Sequence, residues 1–125
     1  MKLRSIKIDK KFIPEFNDNK DLSPADQVII YFNRIPGTSE KGNYKDFTFN
    51  QKGGISLNYN DQMLASTFIE RIDNLEMDVD GKTEKIKNGK ELALVNNPVL
   101  SDLFTEIRDY LFPEDEEISG GESTA

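Results

Sequence analysis

Asn97-Pro98 opens the most strongly patterned stretch of the chain. Asparagine suits an N-cap and proline the first helical position, and Leu100, Leu103, Phe104, Ile107 and Leu111 recur every three or four residues behind them. This spacing predicts a helix that ends at Phe112, because Pro113 cannot continue it comfortably. An apolar stripe of that length has to be covered by the rest of the chain. A second helical period begins at Asn60, where Leu64, Phe68, Ile72 and Leu75 recur with Met63 and Ile69 beside them. It predicts one amphipathic helix running as far as Leu75.

Between and before these helices the period changes to that of strands. Val28 to Phe32 is a continuous β-branched and aromatic run, the pattern of a central strand covered on both faces. Phe47 and Phe49, then Ile55, Leu57 and Tyr59, alternate with polar residues on either side of Gln51 to Gly54, which predicts a hairpin. A second, weaker hairpin is predicted around Asp80-Gly81 between Met77 and Ile86. Ile6-Lys7-Ile8 alternates too, and Phe12 to Phe16 extends it as an edge strand until Pro14 and the Asn17-Asp18-Asn19 cluster stop it. Ser23 to Asp26 favours a single helical turn, residues 35–43 a long exposed loop, and Lys90 to Val95 a short helix.

A chain of 125 residues has enough material for one hydrophobic core and too little for two. The expected fold class is therefore α+β: a small, mostly antiparallel sheet packed against two main amphipathic helices, forming one domain over residues 1–112. Residues 113–125 contain five acids and no base, with little apolar content, and are expected to be a disordered acidic tail.

The composition limits the chemistry. With no cysteine and no histidine, there can be no disulfide, thiolate nucleophile, Ser/His/Asp triad or histidine-based metal site. Glu76, Asp78, Asp80 and Gly81 match the first half of a calcium loop, but Lys87 stands where a bidentate glutamate is required, and a hairpin turn explains them better. Glu106 and Asp109 could pair on one helix face, yet Arg71 and Arg108 alternate with the acids as on a solvated, salt-bridged surface. No cofactor is implied. The net charge of −7 is concentrated in the tail, which leaves 16 bases against 18 acids in residues 1–112. Such a body has no field that would draw it to nucleic acid or to an anionic membrane. The lysines at 2, 7, 10 and 11 are read as protection of an edge strand, and the first residues lack the apolar run of a signal or a membrane span, so a cytosolic protein is expected.

A domain without catalytic residues is expected to act by binding other proteins. Phe47, Phe49, Phe68 and Phe104 fall at core spacing. Phe12, Phe16 and Phe112 lie beside prolines at the ends of elements, and with Leu103 on the last helix they are the candidates for an apolar partner-binding surface. For the three phenylalanines, packing over the edge of the core is the favoured reading.

The stretch Phe12-Ile13-Pro14-Glu15-Phe16-Asn17, the segment Ile86-Lys87-Asn88-Gly89-Lys90-Glu91-Leu92-Ala93, the leucine-rich helix from Pro98 to Leu111 and the acidic tail cover about a third of the chain. In this sequence of parts the chain resembles the tail assembly chaperones of tailed bacteriophages. The resemblance implies a non-enzymatic protein that coats the tape-measure protein and recruits tail-tube subunits during virion morphogenesis in the host cytoplasm. It also implies a longer form made by ribosomal slippage, for which the codons of Gly120-Gly121-Glu122 can supply a purine run. The alternative function is an acidic inhibitor from a mobile element, whose tail would occupy the groove of a nucleic-acid-binding host defence enzyme.

Overall fold

The computed structural model describes residues 1–3, 9–49, 53, 55–95 and 97–113. The alternation at 6–8 and the acidic segment after Pro113 lie outside these residues, as do the side chains of Phe47 and Phe49.

The architecture is α+β. β1 (Lys11–Phe12), β2 (Ile29–Phe32) and β5 (Ile69–Asp73) form a three-stranded antiparallel sheet with β2 in the middle. β3 (Lys45–Phe49) and β4 (Ile55–Tyr59) form one hairpin, and β6 (Glu76–Val79) and β7 (Lys82–Lys85) another. Among the described residues there are three α-helices: α1 (Asp61–Phe68), α2 (Gly89–Leu94) and α3 (Ser101–Leu111). Ile30 and Phe32 of β2 are buried on one side of the sheet, whereas Ile29 and Tyr31 on the other are half-covered, so the central strand has one fully dry face and not the expected two.

α3 forms as its spacing predicts. The Asn97 side chain accepts a hydrogen bond from the Val99 N–H, Pro98–Leu100 makes a 3-10 turn, and the helix then buries Leu103, Phe104, Ile107 and Leu111.

The helix expected from Asn60 to Leu75 is shorter. Asn60 caps it, accepting from the Met63 N–H, but after Phe68 the chain passes directly into β5. The reason lies in a bulge. Tyr31 pairs with Arg71 and Phe32 with Ile69, which leaves Glu70 unmatched. One extra residue turns the strand period of two into a spacing of three, so Ile69 and Ile72 are both buried while Glu70 and Arg71 between them face solvent. The same spacing reads as helical in the sequence.

Two other segments depart from expectation. Among the described residues the edge strand covers Lys11–Phe12, and Phe16–Asp21 is a 3-10 turn in which Asn17 (φ 49°) and Asp18 (φ 57°) hold left-handed backbone, a conformation that short polar side chains tolerate. The loop at 35–43 contains a 3-10 helix over Thr38–Tyr44, with Lys41 and Tyr44 buried. Glu40 organises that helix by accepting the Gly37 N–H at 3.0 Å and two hydrogen bonds from Arg34 at 2.6 and 2.8 Å.

The segment that leads into β2 is fastened from two sides. Asn19, 2% exposed, accepts the Val28 N–H and donates to the carbonyls of Pro14 and Val28. Glu106 of α3 accepts the N–H groups of Glu15 and Phe16 at 2.7 and 2.9 Å. It is therefore a backbone anchor and not part of a solvated acidic face. One turn further along α3, Tyr110 donates its hydroxyl to the Asp9 carbonyl and stacks on Phe12 with ring centres 4.3 Å apart.

α2 sits against α1 at backbone distance. A Cβ on Gly89 would lie 1.9 Å from the Ala65 carbonyl oxygen and 2.7 Å from that of Ile69, so only glycine permits this approach. Gly89→Ala is expected to destabilise the domain by about 3 kcal/mol, the upper range for overpacking, since the obstructing atoms are backbone. Urea unfolding of the variant beside the parent measures it; a neutral result would show that α1 and α2 separate easily.

Candidate functional site

An open cleft of about 330 Å³ lies between α1 and the entry to α3, lined by Asp61, Gln62, Val95, Asn97, Pro98, Ser101, Phe104 and Thr105. Its walls are set by two capping interactions. Asn60 fixes the first turn of α1, which carries Asp61 and Gln62, and Asn97 fixes the turn that leads into α3. Val95, Pro98 and Phe104 supply apolar lining; Gln62, Asn97, Ser101 and Thr105 supply amides and hydroxyls.

Asp61 is the charged residue among them. Arg108 of α3 approaches it, with Nη1 at 3.5 Å from Oδ1, the far limit of a hydrogen bond. Burial pushes the Asp61 carboxyl above the usual aspartate range, and the Arg108 charge offsets part of that rise. Beside the cleft in sequence are two large apolar side chains that the fold leaves in water: Leu94 is 85% exposed and Val99 56%. Each is the immediate neighbour of a lining residue, Val95 and Pro98 respectively.

The four residues singled out in the sequence lie elsewhere. Leu103 is 0% exposed and Phe112 4%, both within the core. Phe12 and Phe16 are half-buried in the segment held by Tyr110 and Glu106. The fold does not join them into an exposed patch. Phe112 is covered because it caps α3 through its N–H to the Arg108 carbonyl and turns towards Tyr44, whose ring centre lies 6.5 Å from its own. Phe68 and Phe104 are in the core as expected. Leu94 and Val99 were missed, although Val99 carried a signal: it falls off the stripe formed by Leu100, Leu103, Phe104, Ile107 and Leu111.

No family model, no curated protein and no solved structure matches this chain.

The remaining polar groupings have structural explanations. Asp80 (φ 52°) and Gly81 (φ 82°) form the left-handed pair that a tight hairpin turn requires, and Thr83 donates its hydroxyl to Asp78 across the ladder at 2.8 Å. Among the described residues, no three acids are placed to hold a metal ion. The Arg71 guanidinium lies 4.0 Å from the centre of the Tyr31 ring and 3.2 Å from Asp73, a surface cation–π contact.

The Arg34–Glu40 pair is exposed but geometrically strong. Hydrogen bonds from Arg34 and from the Gly37 N–H hold the Glu40 carboxyl well below the usual glutamate range, at about 2. A depressed folded-state pKa means that the pairing contributes to stability above the ordinary glutamate pKa and is lost as the pH falls through about 2. A carbon-detected NMR titration is expected to place the Glu40 midpoint near 2 in the parent and back in the ordinary range in Arg34→Ala. An ordinary midpoint in the parent would mean that the bidentate contact does not persist in solution.

Proposed function

We propose that this chain is a non-enzymatic protein-binding domain that takes an apolar segment of a client protein at the cleft between α1 and α3. The carrying observation is the pair Leu94 and Val99, two large apolar side chains held in water and next in sequence to Val95 and Pro98, which with Phe104 give the cleft its apolar lining. Apolar surface left in water around a concavity is a mark of protein–protein interaction sites. The site also sits on capped helical elements, which hold a recognition surface more firmly than loops do. The lack of histidine and cysteine agrees with a binding role.

The client class follows from the resemblance to phage tail assembly chaperones. On that reading the client is a tape-measure protein, whose amphipathic helices present apolar anchors at helical spacing, with tail-tube protein as the second partner. The full chain co-expressed with tape-measure and tail-tube proteins from a tailed phage is expected to co-purify with the first. Leu94→Gln combined with Val99→Gln is expected to lose the client without a drop in melting temperature, because both side chains are already solvated. Retention of the client by the double variant would move the binding surface away from this cleft, and failure of the parent to capture either protein would overturn the chaperone reading.

A further inference from the structure

The cleft is asymmetric in charge. Of the side chains that line it, Asp61 alone is ionised, so the ionic component of the site is a carboxylate beside an aromatic and two aliphatic groups. That carboxylate is incompletely matched. Arg108 approaches Oδ1 at 3.5 Å, the far limit of a hydrogen bond. A half-buried carboxylate with one long-range cation gains from a second cation delivered by a ligand.

We infer that Asp61 selects the client: the cleft recognises an amphipathic segment that brings a lysine or arginine to the Asp61 carboxylate while a neighbouring apolar side chain sits over Phe104, Val95 and Pro98. This rests on the protein-binding function proposed above and adds the chemistry of the partner. Complementarity sets aside two other occupants. The chain's own residues 113–125 contain five acids and no base, so they would bring negative charge to a carboxylate. A nucleic-acid backbone would do the same.

The test uses the full chain and two synthetic peptides of about 20 residues, a length that gives several helical turns. Both carry leucines at positions i, i+3, i+4 and i+7. One has lysines flanking the leucines and the other has glutamine in their place. Binding is measured by fluorescence anisotropy and mapped by amide chemical shifts on the labelled protein.

The basic peptide is expected to shift the amides of Gln62, Val95, Ser101 and Thr105 and to bind about tenfold more tightly than the glutamine peptide, the discrimination expected of a partly desolvated charge pair. In Asp61→Asn, which preserves the side-chain shape, that tenfold preference is expected to disappear while the amide spectrum stays that of a folded protein. Equal affinity of the two peptides for the parent protein would overturn the role of Asp61. That comparison needs no variant and stands even if Asp61→Asn fails to fold. Absence of shifts at these amides with the basic peptide would overturn the recognition of a basic amphipathic segment, whereas capture of the client in co-expression would still support the protein-binding function. Shifts at the same amides that depend on protein concentration without peptide would assign the cleft to a second copy, whose residues 1–8 interleave bases with apolar side chains, and would likewise overturn the proposal.

Discussion

Burial of the α3 stripe is the constraint on which the other parts of this fold depend. Leu103, Ile107 and Leu111 each lose nearly all contact with water, and burial of such a side chain contributes roughly 1.5–3 kcal/mol. Once that face is fixed, the remaining faces of the helix point in set directions. Glu106 and Tyr110, four residues apart and hence on one face, fasten the segment between Asp9 and Phe16. Arg108 reaches α1, and Ser101, Phe104 and Thr105 form a wall of the cleft. A single helix thus closes the core, secures the chain before β2 and shapes the proposed binding surface.

The elements with local chemical causes were legible in the sequence. Asn97-Pro98, Asp80-Gly81 and the alternation around Gln51 to Gly54 each set backbone geometry by themselves, and the corresponding helix and hairpins are present. What could not be read depends on partners distant in sequence. Ile69 and Ile72 satisfy a helical period, and only pairing with β2, with Glu70 bulged out, makes them strand residues. Glu106 resembles any surface acid until the N–H groups of Glu15 and Phe16 are brought to it. Among site residues, Phe12, Phe16, Leu103 and Phe112 were selected for being apolar near prolines or on the last helix, but apolar character alone does not separate a core residue from a docking residue. Leu94 and Val99 differ from them in lying outside the buried stripe, a distinction that the helical spacing draws for Val99 and that the short α2 is too brief to draw for Leu94.

The cleft owes its shape to the same economy of parts. α2 can lie close to α1 because Gly89 has no side chain, and the chain leaving α2 at Leu94 must then cross within a few residues to the turn at Pro98–Leu100. That short crossing brings Val95, Asn97 and Pro98 into the lining of the cleft and leaves their sequence neighbours Leu94 and Val99 in water. Close helix packing and the cleft beside it both follow from one short connection.

The anchoring of Glu15 and Phe16 by Glu106, and of Asp9 by Tyr110, bears on how the chain reaches its fold. These contacts join residues 90, 91 and 101 positions apart. During synthesis the segment that precedes β2 emerges well before the α3 residues that hold it. Contacts of such long sequence separation form late and slow the search for the native state. The nascent domain therefore has to wait for α3 before Asp9, Glu15 and Phe16 gain these anchors.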